Sequence, residues 1–489
     1  MRRTTARFAL AATVGIAAAA PACANPVLIA AGALTGSAAG ADADLSGLTG
    51  ALENGVPGNA LGGLGSGLSW AGGNTFLALP DRGPNATPYN SAVDDTASYV
   101  NRFQTVTMTL APSAPGAVLP LALTPTLTGT TLLWSASPLA YGTGAGLGTT
   151  IGGTPLGSGA PAINTAGKYY FTGRSDNFDP GKTSASQNNA RLDPESIRTA
   201  WNGESVYISD EYGPYIDQFD RATGKRLRSF TLPSNLYVAN QSPVGATEIS
   251  GNTSGRTANK GMEGLALTPD GKTLVGIIQA SLIQDAKEGG AAAKLLRIVT
   301  VDVATGKTHE YGYALTAGTG VSEIVALNDH EFLVDERDGK GLGDGSKAKV
   351  KQIFKIDLAG ATDISGMDGT EAAKHVVGKS LFLDVVKALG KAGVAAADVP
   401  SKIEGLSFGD DVTVDGVVKH TLWVANDNDF VPETAGPNDF YVFGFTDADL
   451  GGSVFNPGRV PEPASLALLG AGIAMLLGLV RRRGAASPV

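Results

Sequence analysis

Four glutamates recur in one slot of a repeated phrase. The chain reads MEGLALTPDG around Glu263, VSEIVALND around Glu323 and KIEGLSFGDD around Glu404, with a diverged copy, DPESIRTAWNG, at Glu195. Side chains that recur once per repeat converge when the repeats close around an axis. Converging carboxyls cannot all stay ionised without a cation. Hard oxygen donors in such numbers favour Ca²⁺ over a transition metal. Glu195, Asp210, Glu263, Glu323, Glu404 and Asp427 are the expected metal-holding set.

Each phrase is followed by a second apolar run that ends in charge: SVYISDEYGP, TLVGIIQAS, EFLVDERDG and TLWVANDND. These ends add Asp81, Asp210, Glu211, Asp335, Glu336, Asp338, Asp427 and Asp429. Cations are interleaved: Arg82, Lys260, Arg337 and Lys402. Mixed cations and metal at one mouth suit an anionic small-molecule substrate, because they stabilise charge developing on a phosphoryl or carboxyl oxygen. Arg82, Arg337 and Lys402 are expected to contact it, with Glu211 grouped as a fourth catalytic residue. Tyr212 reads equally as a positioning or a packing residue. Asp270-Gly271 and Asp410 read as turn devices.

The elements that must position these groups are strands. The chain has 489 residues with 66 Gly and 26 Pro, and Gly-rich turns separate short Val/Ile/Leu/Phe runs. Intervals of 68, 60 and 81 residues between the four glutamates suit four-stranded propeller blades with variable loops. Hairpins such as KLLRIVTVDVATGKTHEYGYAL and YIDQFDRATGKRLRSFTL supply outer strands. The fold expected is all-β, a β-propeller of five or six blades over 61–446. The opening copy, Gly63 to Pro84, lacks the acid. Residues 102–173 read as a further blade-like unit with an insertion, residues 25–60 as a loosely ordered low-complexity lead-in, Ser380 to Gly393 as an extra helix and DFYVFGF as a closing strand.

Several functions are excluded or disfavoured. A net charge of −9 without a basic tract argues against nucleic acid. The single cysteine, Cys23, falls in a removable segment, which leaves no disulfide or thiolate zinc site. The four histidines lack ligand-like spacing, and no Gly-x-Ser-x-Gly elbow is present.

Both ends carry addresses. Arg2, Arg3 and Arg7 precede an apolar run and Ala22-Cys23-Ala24, which predicts a signal peptide over 1–24. Val460-Pro461-Glu462-Pro463, an apolar stretch over 464–480 and Arg481-Arg482-Arg483 close the chain. That stretch is long enough for a single transmembrane helix with its arginines in the cytoplasm. This tail, 460–483, resembles the PEP-CTERM sorting signal, which implies inner-membrane anchoring, cleavage by a membrane-bound sorting protease, then release to the cell surface or matrix. A plain anchor needs the same helix.

The phrases GGLGSGLSW, FLALPDRGP, DPESI, SDEYGPYI, GMEGLALTPDGKTL, EIVALNDHEFLVDERDG and KIEGLSFGDD resemble the phytase-like family described as esterase-like activity of phytase. The resemblance implies a β-propeller and hydrolysis of phosphate esters. It carries over to Asp81, Arg82, Glu195, Asp210, Glu211, Glu263, Glu336, Arg337, Glu404, Asp427 and Asp429. One departure is Ser196, where the pattern has Gly. Two alternatives stay open: a non-catalytic propeller that binds an extracellular matrix component, and a calcium-dependent lactonase or carboxylic esterase.

Overall fold

The structure, a computed structural model, describes residues 26–458 apart from 38–39, 42, 85–89, 145–148 and 150–155. The expected signal peptide and the 460–483 tail with its apolar 464–480 stretch lie outside the described residues. Among the described residues, no helix is long and apolar enough to cross a membrane.

Five four-stranded antiparallel sheets form a ring. Blade I holds Gly67–Trp70, Thr75–Leu79, Arg102–Pro112 and Leu121–Leu132. Blade II holds Pro194–Thr199, Ser205–Asp210, Tyr215–Asp220 and Arg226–Phe230. Blade III holds Met262–Leu267, Thr273–Ile278, Leu295–Asp302 and Thr308–Ala314. Blade IV holds Gly320–Ala326, Glu331–Arg337, Lys351–Asp357 and Lys379–Asp384. Blade V holds Lys402–Val414, Val417–Asp427, Asn438–Phe445 and, outermost, Val27–Leu34 from the other end of the chain.

Blade V corrects the expected lead-in. Val27–Leu34 pairs antiparallel with Asn438–Phe445, so the N-terminal segment closes the ring, and Asn438–Phe445 lies inside the sheet rather than at its edge. Ile29, Ala30 and Leu34 are buried there. Residues 102–132 complete blade I instead of making a separate blade. The helix expected over Ser380 to Gly393 is half strand: Lys379–Asp384 pairs with Lys351–Asp357, and only Val385–Lys391 is helical, capped by Asp384.

Five large apolar clusters lie one between each pair of neighbouring blades, as Leu333 and Phe443 do for IV and V, and Leu265 and Phe230 for II and III. A blade buries both faces this way, which is why its strands run nearly continuously apolar. The outer hairpins of blades II and III share one turn. Asp220 and Asp302 each accept from the backbone N–H and hydroxyl of the threonine three residues on, at 2.7–2.8 Å, and Gly224 and Gly306 follow in the left-handed region.

Inner strands of adjacent blades touch through a small-residue slot. A Cβ on Gly264 would stand 2.8 Å from the Ile324 nitrogen, and one on Gly67 2.9 Å from the Ile197 nitrogen. At the far end of the channel, where the inner strands finish, a cavity of about 250 Å³ is lined by Trp70, Thr199, Leu267, Phe408 and Pro457 among others. The final described residues run across that opening. Phe455 packs on Phe408 and His420, and Asn456 donates to the Leu327 carbonyl at 2.8 Å.

Candidate acidic centre at the channel mouth

The inner strands of blades II to V each carry a register shift of one residue near their start. A bulge turns a side chain out of the regular alternation. In blades III and V the extra residue is Glu263 or Glu404, and in blade II the shift spans Glu195 and Ser196. In blade IV it is Ser322. Glu323 therefore occupies the slot that Gly264 and Gly405 fill in their blades.

This corrects the expected set. Glu323 does not join the mouth. Its side chain is fully buried and accepts from Ser196 Oγ at 2.9 Å, the Leu265 and Ile324 nitrogens at 3.1 and 2.9 Å, and Arg198 at 2.8 Å. Arg198 also donates to the carbonyls of Leu68, Ile197 and Ile324. This ion pair ties blades I, II, III and IV together across the channel. Burial pushes the Glu323 carboxyl up to about 7, with Arg198 holding it down. Ser196, the departure from the family pattern, supplies a hydroxyl to it.

Asp210 is also placed otherwise than expected. Its two oxygens accept the Asp193 and Gly213 N–H groups at 2.8 and 2.5 Å, so it shapes a loop. Burial raises it to about 8. Glu336 turns away from the mouth to Tyr313, Lys379 and the Ala317 nitrogen. Asp338 pairs with Lys351 at 2.7 Å. Tyr212 is buried and donates to the Gly173 carbonyl at 3.0 Å, under the Arg191 guanidinium, which makes it a packing residue. The four histidines pair with carboxylates away from the mouth, such as His309 with Asp363.

The remaining acids converge. Asp193, Glu195 and Glu211 place one oxygen each within 4.8 Å of one another, as do Asp81, Asp427 and Asp429. Glu263 and Glu404 stand between the two groups electrostatically, each raising its neighbours. Burial, then mutual repulsion, raises Glu195 and Glu263 well above the ordinary carboxyl range, and Asp81 likewise through Asp427. Burial lifts Glu404 to about 7, and Arg337 and Lys402 limit the rise. Asp335 lies fully buried beside Arg337, neither oxygen hydrogen-bonded among the described residues, and burial raises it strongly.

Cations stand among these acids. Arg82 meets Asp193 at 2.6 Å and also Asn259, while its buried Nε has no acceptor among the described residues. Arg337 donates through Nε to Ser322 at 2.6 Å, pairs with Glu404 and lies 3.9 Å from Glu263. Lys402 donates to Asp427 at 2.7 Å and Asp429 at 2.5 Å. Lys260 turns to Gln279 at 2.8 Å. Arg82, Glu211, Arg337 and Lys402 thus lie among the same group of acids. Asp193 escaped the sequence reading because it precedes the repeated slot, inside the DPE phrase.

Comparison with known proteins agrees with the repeats. The family profile described as "Esterase-like activity of phytase" matches residues 59–430, and the PEP-CTERM protein-sorting motif matches 459–483, which marks the chain for export and sorting. An uncharacterized secreted protein of Arthroderma benhamiae is 30% identical over 189 residues, covering 32% of this chain and 36% of that one. The match therefore spans about a third of that relative. Among solved structures, hydrazine synthase of Kuenenia stuttgartiensis aligns at 11% identity and a TM-score of 0.29 over 76% of this chain and 79% of its own. A gluconolactonase from Xanthomonas campestris aligns at 12% and 0.29 over 86% and 96%. Likenesses this distant carry nothing about activity. The match over 59–430, together with the five-bladed ring, shows that the chain belongs to the phytase-like family.

Proposed function

We propose that the acidic mouth hydrolyses phosphate esters of an anionic small molecule outside the cytoplasm, with a bound hard cation. The observation that carries this reading is the gathering of Arg82, Arg337 and Lys402 around one opening lined by eight carboxyls: Asp81, Asp193, Glu195, Glu211, Glu263, Glu404, Asp427 and Asp429. Asp81, Glu195 and Glu263, which burial and neighbouring carboxylates push toward the protonated form, are the kind of donor on which a Ca²⁺-class ion replaces protons. Such an ion supplies Lewis-acid stabilisation of charge on phosphoryl oxygens.

The chain's own groups do the rest. Arg337, aimed by Ser322 and Glu404, and the unused Nε of Arg82 bind and orient the phosphoryl group. Glu404, near 7, is matched to hold or release a proton at neutral pH. The plug of Glu323 and Arg198 closes the channel beneath.

A panel of phosphomonoester, phosphodiester and lactone substrates, with EDTA or with CaCl₂, tests the reading. Chelator-sensitive phosphate release supports it. Turnover of lactones alone assigns a carbonyl chemistry instead, and no turnover by cation-loaded protein favours a matrix-binding propeller.

A further inference from the structure

We infer that the mouth holds one hard divalent cation at Asp193, Glu195 and Glu211, with Glu263 as a fourth carboxylate, and that the ammonium of Lys402 takes a cation's place at Asp81, Asp427 and Asp429. The inference rests on the acidic mouth just described but not on its hydrolytic activity.

The two acidic trios have the same spacing and different partners. At Asp81, Asp427 and Asp429 the space is spoken for. Lys402 Nζ lies 2.7 Å from Asp427 and 2.5 Å from Asp429, while the Asp429 nitrogen fills the other Asp427 oxygen at 2.7 Å. A second positive charge there would meet an ammonium fixed at contact distance.

The other trio holds a protein cation on one member only, Arg82 on Asp193. Glu195 is 8% exposed, and among the described residues its carboxyl has no hydrogen-bond donor and no ion-pair partner. Glu263 is 2% exposed, and its Oε2 likewise has no partner, while its Oε1 accepts from Gln279 Nε2 at 2.5 Å and lies 3.9 Å from Arg337. Among its charged neighbours, Glu211, a member of the trio, disfavours its ionised form most. A buried carboxyl with no donor, beside a second with one bare oxygen, is costly unless a cation completes them. Asp193 accepts the Arg82 guanidinium at 2.6 Å on one oxygen and the Arg82 N–H at 3.1 Å on the other, and Glu211 accepts the Gly261 N–H at 3.0 Å and shares a hydrogen bond with Glu263; each carboxylate oxygen has a second lone pair to offer. Every donor here is oxygen, and four carboxylates suit Ca²⁺, which takes six to eight oxygens with water completing the shell.

Isothermal titration of EDTA-stripped protein with CaCl₂ tests this directly. One ion per chain is expected. Glu195→Gln and Glu263→Gln each weaken binding at least about tenfold (about 1.4 kcal/mol), whereas Asp429→Asn leaves affinity within about twofold. Circular dichroism and thermal melts identify any variant that fails to fold, and Lys402→Met supplies an independent arm, in which the stoichiometry rises to two. No heat with CaCl₂, MgCl₂ or MnCl₂, or loss of binding in Asp429→Asn with retention in Glu195→Gln, overturns the assignment. A Lys402→Met protein that still binds one ion overturns the stand-in role of the lysine. Cation binding without ester turnover sinks the hydrolase reading alone, and cation-dependent ester turnover by a Glu195→Gln protein that binds the ion as the native one does sinks this inference alone.

Discussion

The carboxylate of Glu323 meets the guanidinium of Arg198 at 2.8 Å inside the central channel, below the acidic mouth and with almost no access to solvent. Removing one partner of such a buried pair leaves an uncompensated charge, which typically costs about 3–5 kcal/mol. Glu323→Ala is therefore expected to lose about that much stability in urea unfolding while its Ca²⁺ affinity stays near that of the native protein. A Glu323→Ala protein with native stability and lost cation binding would return Glu323 to the mouth.

The pH dependence of stability has a definite sign. Glu404 and Glu323 titrate near 7 in the folded protein, against about 4.3 in an unfolded chain. Between those values the folded state holds protons that the unfolded state releases. Their contribution is fully present below about 4.3 and is lost as pH rises through 7. Without cations, the melting temperature is expected to be higher at pH 5.5 than at pH 8, and CaCl₂ should recover most of the difference at pH 8. Scanning calorimetry at the two pH values, with and without CaCl₂, checks both parts.

Arg337 is the cation best placed to meet a substrate anion, since Ser322 and Glu404 fix its direction. Arg337→Ala is expected to lower kcat/KM for a phosphomonoester on the order of 10²-fold. Ser322→Ala, which frees the guanidinium without removing it, should lower it less. Steady-state kinetics on the two variants give the ranking, and equal losses would show that the charge acts only through its orientation.

Blade V depends on a strand from the far end of the sequence. Deleting residues 26–35 leaves Asn438–Phe445 as an unpaired edge and exposes the surface that Ile29 and Leu34 cover. The truncated protein should lose hydrogen-exchange protection in Asn438–Phe445 first, while Met262–Leu267, opposite in the ring, keeps its own.

The sequence made the ring legible because each blade needs the same strand–turn–strand chemistry, and repeats of that chemistry survive as phrases such as GMEGLALTPDG and KIEGLSFGDD. It hid what a one-residue shift decides. Glu323 follows Val321-Ser322, whereas Glu263 follows Met262 directly, so aligning the acids by type placed Glu323 one residue out of register. Only the pairing of Val321 with Glu336 and of Glu323 with Asp335 reveals that Ser322 holds the bulge. The N-terminal strand was obscured for another reason. VLIAAGAL has the small, aromatic-poor composition of a linker, and its partner lies some four hundred residues away, beyond the reach of any local signal. Asp210 shows the converse: a carboxyl at the end of a strand was legible as functional by position, yet two backbone N–H groups claim it.

The route of the last described residues sets which way the molecule looks. The chain departs at Gly458, against Pro269, on the floor of the ring, and the sorting motif starts at the next residue. Because the motif joins the ring on that side, whatever reads it would approach the face remote from the carboxyl cluster and leave that cluster unobstructed.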